Sequence, residues 1–431
     1  MSTEIEKNPS PFFSRQERIE WWNQKKLSEA KVFVVGAGAL GNEVIKNLSL
    51  LGIGHMFVVD FDFIEDSNLS RAVLFREDDV KDGLSKSEVV IKRAKELNPN
   101  KQATYKNLHG DVVWDVGLGV YRHSDIILGC LDNIEARLSV NLNSWKMGKT
   151  WIDGGMWELA GSVSVYEPSI EKACYECSMT PDRYRTARTR YSCTNAIVKA
   201  RIKQGFEPTT QTTSAVVGAI QAQESVKILN NLASFPGRKL MFNGSPHFYL
   251  EDNNPIYLID LSVNPNCLCH QEENLTNDIL EFVELTNESK LEDLVNAVHQ
   301  KIGNKIVSVD LGCEYVVSFT CPYCEKITSI GSPKHKIRDT DVICNSCEVA
   351  CPTCGSKNIG TPDCNNCGQE DIYEARLTLL SHILENSETY LDYKNYTLKK
   401  LGIPLLQILR ISIESKEYFI EITGDIPKIW E

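Results

Sequence analysis

No stretch of this 431-residue chain approaches 18 uninterrupted apolar residues, the length a membrane-spanning helix requires. The first 14 residues are polar and mixed in charge, without the apolar core of a secretory signal. The expectation is a cytoplasmic protein with no membrane partner. Positive charge is also in short supply: 46 Lys and Arg stand against 58 Asp and Glu, a formal charge of −12. Neutralising nucleic-acid phosphates needs a basic surface, so no nucleic-acid partner is expected. Tandem repeats are missing too, apart from a doubled cysteine motif described below.

What is present is ordinary globular material. Apolar residues make up 42% of the chain and charged residues 24%, which excludes a largely disordered or collagen-like chain. At roughly 100 to 200 residues per domain, the length predicts about two to four domains. Cysteine is the exception to this ordinary composition. There are fifteen, and an odd number in a reducing compartment points to metal ligands and a nucleophile rather than to disulfides.

The first 270 residues alternate strand-like and helix-like segments. Val32–Val35 is a short β-branched run, Gly36 to Gly41 a glycine loop, the next ten residues have helical spacing, and Met56–Val59 gives a second strand. That βαβ unit implies a parallel sheet. A helix over Glu88–Leu97 is stopped by Asn98-Pro99; Ile126–Leu128 and Ser162–Val165 read as strands, and Ser214–Leu232 as a long helix. After His270 come a strand (Ile279–Leu285), a helix (Leu291–Ile302), a strand (Ile306–Val309), a Cys-, Pro-, Gly- and Asn-rich segment over Cys321–Cys367, and a tail with a strand at Tyr418–Ile422.

The loop Gly36-Ala-Gly38-Ala-Leu-Gly41 lies between a strand and a helix, where glycines let backbone N–H groups approach a phosphate. Asp60 ends the second strand, where an acid can hold ribose hydroxyls. These two features alone also fit a nicotinamide-dependent dehydrogenase. The polar set that follows does not: Asp62, Asn68, Arg71, Lys86, Asp132 and Asn133 supply donors, cations and a hard oxygen ligand, suited to a triphosphate with magnesium rather than to an apolar nicotinamide pocket.

On these residues, from about Phe12 to about Cys269, the chain resembles the ubiquitin-like-protein activating enzymes and their relatives that activate sulfur-carrier proteins. The resemblance implies a Rossmann-like α/β adenylation domain that consumes ATP with Mg2+. It implies that Asp60 binds the ribose, that Asn68, Arg71 and Lys86 contact phosphates, and that Asp132 positions magnesium. It further implies a homodimer in which Arg15 of Ser14-Arg15-Gln16 acts in the other protomer's site. The partner would be a ubiquitin-like protein ending in glycine, whose carboxylate is adenylated.

Cys174-x-x-Cys177 and Cys267-x-Cys269 form two close pairs about 90 residues apart, suited to one structural zinc ion. The resemblance supports that zinc, although relatives usually carry C-x-x-C in the second pair, so His270 is an alternative ligand. Cys321/Cys324, Cys344/Cys347, Cys351/Cys354 and Cys364/Cys367 are four C-x-x-C knuckles, enough for two Zn2+ sites paired either sequentially or in interleaved fashion. Of the three remaining cysteines, Cys130 reads as a small core residue and Cys313 has no visible partner. Cys193 sits near Arg183, Arg185, Arg188 and Arg190, and cationic surroundings favour a thiolate. Cys193-Thr194 resembles the Cys-Thr of activating enzymes that pass the carrier from adenylate to thioester, which implies Cys193 as nucleophile and a conjugating enzyme as acceptor.

The expected organisation is therefore an N-terminal segment (1–30), an adenylation domain with a mostly parallel sheet (31–270) crossed by a loop (178–212), a small α/β element (271–320), a zinc-ribbon-like module (321–370) and a C-terminal docking domain (371–431). Parts of the last resemble a ubiquitin-like fold. Two other functions stay open: adenylation of a sulfur carrier without a thioester, and a zinc-bearing adaptor without catalysis.

Overall fold

The computed structural model describes residues 11–184, 209–244, 255–275, 278–303, 305–361, 363–369 and 373–431. The chain divides into two compact units, broken near residues 277 and 278, and residues 426–431 return to the first.

The first unit is built on an eight-stranded sheet in the order β3-β2-β1-β4-β5-β6-β7-β8. Its strands are β1 (Lys31–Val35), β2 (His55–Asp60), β3 (Thr104–His109), β4 (Ile126–Gly129), β5 (Trp151–Trp157), β6 (Ala160–Tyr166), β7 (Arg238–Asn243) and β8 (Ile256–Asp260). From β3 to β5 all neighbours are parallel, and from β5 to β8 all are antiparallel. The helices are α1 (Gln24–Glu29), α2 (Ala39–Leu50), α3 (Glu77–Lys81), α4 (Lys86–Leu97), α5 (Leu118–Arg122), α6 (Ile134–Lys146) and α7 (Gln211–Leu229).

The run Val32–Val35 is apolar without alternation because β1 is buried on both faces, as parallel strands are. Val32 and Val34 pack with Leu40, Val44 and Leu48 of α2, Val90 of α4 and Val217 of α7. Phe33 faces the other way, stacked on Phe57 of β2 at 5.6 Å and edge-on to Tyr121 of α5 at 5.3 Å. The same aromatic layer receives Trp430 from the far end of the chain, 6.2 Å from Phe57 and fully buried.

The second unit holds β9 (Ile279–Phe282), helix α8 (Leu291–Ile302), β10 (Val307–Thr320), β11 (Ile327–Pro333), β12 (Val349–Ala350), β13 (Lys357–Asn358), β14 (Arg376–Leu384), α9 (Glu388–Tyr393), β15 (Ile408–Ile413) and β16 (Lys416–Ile422). The main sheet runs β11-β10-β15-β16-β9, with β14 also paired to β10. Leu291, Leu294, Val295 and Val298 occupy one face of α8 and pack with Val307 and Val309 of β10, Ile411 of β15 and Ile420 of β16, the i, i+3, i+4, i+7 pattern of an amphipathic helix. Strands from before and after the cysteine-rich segment thus share one sheet. Two sequence expectations change here: the strand expected to end at Val309 continues to Thr320, and β11 lies inside the segment expected to be metal module alone. The continuation is supplied by β11 and β14, which flank β10 over Tyr315–Thr320. The residues 426–431 form helix α10 (Pro427–Trp430), which lies on the first unit's β2 and β3.

Candidate nucleotide site and thiolate clusters

The strand order reverses at β1, which has β2 on one side and β4 on the other. In open parallel sheets the crevice beyond the carboxyl ends of such strands is where ligands bind. The glycine loop leaves β1 there, and the residues 130–133 leave β4 beside it. Gly36 has φ of +97°, and a Cβ on it would sit 2.3 Å from the Cys130 carbonyl oxygen; a Cβ on Gly41 would sit 2.1 Å from the Gly36 carbonyl oxygen. Those two glycines are required by the protein itself. Gly38, which caps α2, has no atom of the described residues within 4 Å of the Cβ position. Open space at this glycine is what close approach of a ligand to the backbone needs.

Asp60 ends β2 with its carboxylate turned toward the loop: it accepts Ala37 N–H at 2.7 Å and Asp62 N–H at 2.8 Å. Burial raises its pKa above the ordinary carboxylate value, with Lys86 and the two backbone donors opposing. Lys86 is the first residue of α4, capped by the Ser85 side chain, and its ammonium pairs with Asp62 Oδ2 at 3.0 Å. Arg71 donates to Thr209 Oγ1 at 3.2 Å. Asn68 closes a short turn by accepting Glu65 N–H at 3.1 Å, and Arg71 N–H bonds to its carbonyl. Asp132 is exposed. Asn133 caps α6, its Oδ1 accepting Ala136 N–H at 2.7 Å and its amide donating to Asp132 at 3.3 Å. The oxygen of Asn133 is therefore committed to the helix terminus. Arg15 is exposed, on a segment anchored by buried Phe13; Cys193 lies outside the described residues.

Three residues that shape this site, Asn42, Gln221 and Asp153, were not singled out from the sequence, and Arg137, which closes the polar run from Gly129, was given no role there. Asn42, buried, donates to the carbonyls of Ala37 and Gly38 and accepts Leu74 N–H, tying the loop to the segment that follows Arg71. Its place one residue after Gly41 was the available signal. Gln221 of α7 donates to the carbonyls of Gly129 and Ile152 at 3.0 and 3.2 Å, pinning β4 to β5. Arg137 and Asp153 form a buried ion pair at 3.0 Å. No local pattern announces Gln221 or Asp153, because each meets partners distant in sequence. Burial pushes the Cys130 thiol pKa up, which disfavours its thiolate.

Among the described residues, eleven cysteines and His270 gather into three groups of four. In the first, the ligand atoms of Cys174, Cys177, Cys267 and His270 all lie within 4.8 Å of one another. Of the two candidates the sequence offers for the fourth ligand, Cys269 and His270, it is His270 that falls in this group. Cys267 and His270 have the same three-residue spacing as Cys174 and Cys177, whereas Cys269 Sγ accepts Asn141 Nδ2–H at 3.2 Å. The His270 ring stacks on Trp145 at 4.6 Å, and burial lowers its pKa toward the neutral form that a metal takes. The other groups are Cys321, Cys324, Cys344, Cys347 and Cys351, Cys354, Cys364, Cys367, so the knuckles pair sequentially. Tetrahedral zinc with Zn–S of about 2.3 Å puts sulfurs about 3.8 Å apart. The sulfur separations are 3.6 and 3.9 Å in the first group, 3.7 to 3.8 Å in the second and 3.5 to 3.6 Å in the third. A disulfide needs about 2.05 Å, so the spacing fits shared metal ions and not bonded pairs.

Residues 13–254 match the ThiF family. The chain belongs to that family. The ThiS adenylyltransferase of Escherichia coli (strain K12) is 28% identical over 223 residues, 51% of this chain and 80% of its own length. Adenylyltransferase and sulfurtransferase MOCS3 of Xenopus laevis is 32% identical over 221 residues, 51% of this chain and 45% of its own. SUMO-activating enzyme subunit 2 of Dictyostelium discoideum is 36% identical over 153 residues, 35% of this chain and 22% of its own. The chain thus spans about half the length of the MOCS3 relative. A solved structure of E. coli MccB with MccA shares 22% identity over 62% of this chain and 76% of its own, with a TM-score of 0.48. The matched residues carry the glycine loop, Asp60, Lys86 and Asp132 of this ThiF-family chain. No helix among the described residues is long and apolar enough to cross a membrane.

Proposed function

We propose that this protein uses ATP to adenylate the C-terminal glycine of a ubiquitin-like protein, then takes the acyl group onto Cys193 as a thioester for a conjugating enzyme. The observation that carries the first step is the convergence of the Gly36–Gly41 loop, Asp60, the Asp62–Lys86 pair and the Asp132 loop at the switch point of a ThiF-family sheet. A carboxylate oxygen of the carrier attacks the α-phosphorus, the bond from that phosphorus to the bridging oxygen breaks, and pyrophosphate leaves. No proton need move. What the site contributes is position and compensation of negative charge: backbone N–H groups at Gly38 face the phosphates, Lys86 and Arg71 lie beside them, and Asp60 holds the ribose. Magnesium, held by Asp132, would neutralise phosphate charge. In the second step the Cys193 thiolate attacks the acyl carbon and AMP departs. Arg15 acts across a homodimer in this reading.

Sulfur-carrier adenylation is the competing reading, favoured by the names of the ThiS and MOCS3 relatives. Incubation with ATP, magnesium and small glycine-terminated β-grasp proteins, run on reducing and non-reducing gels, separates the two. A reducible adduct lost in Cys193→Ala, with pyrophosphate exchange retained, supports the thioester. Exchange without an adduct removes it and leaves adenylation alone.

A further inference from the structure

The loop that carries Asp132 is held by a side chain for which the adenylation reading has so far had no use. Arg137 sits on the first turn of α6 and turns back under the loop. Its Nη2 donates to the Leu131 carbonyl at 2.5 Å and to the Gly154 carbonyl at 3.1 Å, and its Nε donates to Asp153 Oδ1 at 3.0 Å. Leu131 immediately precedes Asp132; Gly154 and Asp153 belong to β5. One guanidinium therefore fixes the backbone before Asp132 to the neighbouring strand, while Asn133 fixes the residue after it as the cap of α6. Cys130 completes the restraint from the other side, with its N–H on the Val35 carbonyl and its own carbonyl against Gly36.

Asp132 is exposed, and among the described residues its side chain takes a 3.3 Å hydrogen bond from Asn133 and no other. An exposed carboxylate on an unrestrained loop would lose much of its interaction with a metal–phosphate group to reorientation, and octahedral magnesium tolerates little misplacement. The guanidinium fork suits this task because it presents several N–H donors in one plane, which an ammonium cannot do.

We infer that Arg137, held by Asp153, is a positioning residue that sets Asp132 for the magnesium ion of the bound nucleotide; this rests on the adenylation reading of the site. Its signature is a selective loss. Removing the fork should weaken the magnesium-dependent part of ATP binding and leave the metal-independent part, which the glycine loop, Asp60 and Lys86 provide.

The test uses the full chain and a non-hydrolysable ATP analogue, with equilibrium binding measured in excess Mg2+ and in EDTA. Thermal melting checks the fold. Wild type should bind more tightly with Mg2+, and Asp132→Ala should abolish that enhancement. Arg137→Lys, which keeps the charge but not the fork, should reduce the enhancement about tenfold while changing the affinity in EDTA less than twofold. Asp153→Asn keeps an acceptor for Arg137 Nε and should give a smaller reduction in the same direction. It also serves if Arg137→Lys does not fold. Retention of the full enhancement in a folded variant overturns the inference, as does an equal fall in both conditions, which marks Arg137 as a general brace of the fold. Absence of any enhancement in wild type, or its persistence in Asp132→Ala, overturns the magnesium role of Asp132 and the inference with it.

Discussion

In the first unit, Val32, Val34, Leu40, Val44, Ile45 and Leu48 are buried against one another to form a core that α2 and β1 share. In the cysteine-rich segment of the second unit the buried set is Ile343, Val349 and Tyr373 with Cys321, Cys344, Cys351 and Cys364. So few apolar side chains, even with Ile337 beside them, cannot offset the conformational entropy of ordering some forty-odd residues at roughly 1 to 2 kcal/mol each. A metal ion on the thiolate groups would do there what hydrocarbon does in the first unit. The knuckles are shaped accordingly: Cys351 N–H bonds to the Ser356 carbonyl and Gly355 N–H to the Cys351 carbonyl, and Cys364 and Gly368 repeat the turn. Gly355 and Gly368 take φ of +70° to close it.

The largest expected effect follows from that contrast. Structural zinc in small modules is worth about 10 to 16 kcal/mol of apparent binding free energy, so stripping metal should unfold the knuckles over residues 339–369 and leave β11, which pairs with β10, and the β1–β5 sheet intact. Hydrogen exchange followed by mass spectrometry reads this directly; joint loss of protection in both regions would break the contrast. The reverse perturbation is Trp430→Ala, which opens the aromatic layer over Phe57. Truncating a buried tryptophan costs about 3 to 5 kcal/mol, and that loss should appear in the nucleotide unit's melting and leave the knuckles protected.

Two smaller perturbations separate fold from ligand within the nucleotide unit. Gly36→Ala forces a Cβ into the Cys130 carbonyl at positive φ and should cost stability, whereas Gly38→Ala should leave the melting temperature unchanged and weaken ATP binding at least tenfold. Equal melting temperatures for the two would show that the loop is adaptable. Asp60→Asn should do least to the fold. Burial raises the folded-state pKa of Asp60 above its unfolded value, so its contribution to stability is greatest below the unfolded value and is lost as pH rises through the folded one. At pH 7 the Asn variant should melt at the same temperature or about 2 to 4 °C higher, the difference vanishing toward pH 4, while ATP binding falls.

How much was legible follows the same physical division. β1, β2, α4 and α8 stand out because their periodicity is local, and the knuckles stand out because ligand spacing is local too. Residues Trp151–Trp157 contain Asp153, Gly154 and Gly155, which hide β5 from any pattern rule, although Arg137 and Gln221 depend on that strand. The contact between Phe57 and Trp430 spans most of the chain. Whether Cys269 or His270 completes the first thiolate group was left open by sequence, since both are near; His270 falls in the group with the three-residue spacing of Cys174 and Cys177, while the Cys269 sulfur takes a hydrogen bond from Asn141. Sequential pairing of the knuckles was likewise one of two arrangements that spacing permits.

The central claim is that the switch-point crevice activates a carboxylate with ATP, and pyrophosphate exchange into ATP, dependent on a glycine-terminated β-grasp protein, tests it most directly. Exchange in wild type with at least a hundredfold loss in Lys86→Ala, the order of effect expected when a charge-stabilising donor is removed, is the predicted result. Robust ATP binding by a well-folded chain, with no exchange for any carrier that ends in glycine, would contradict it.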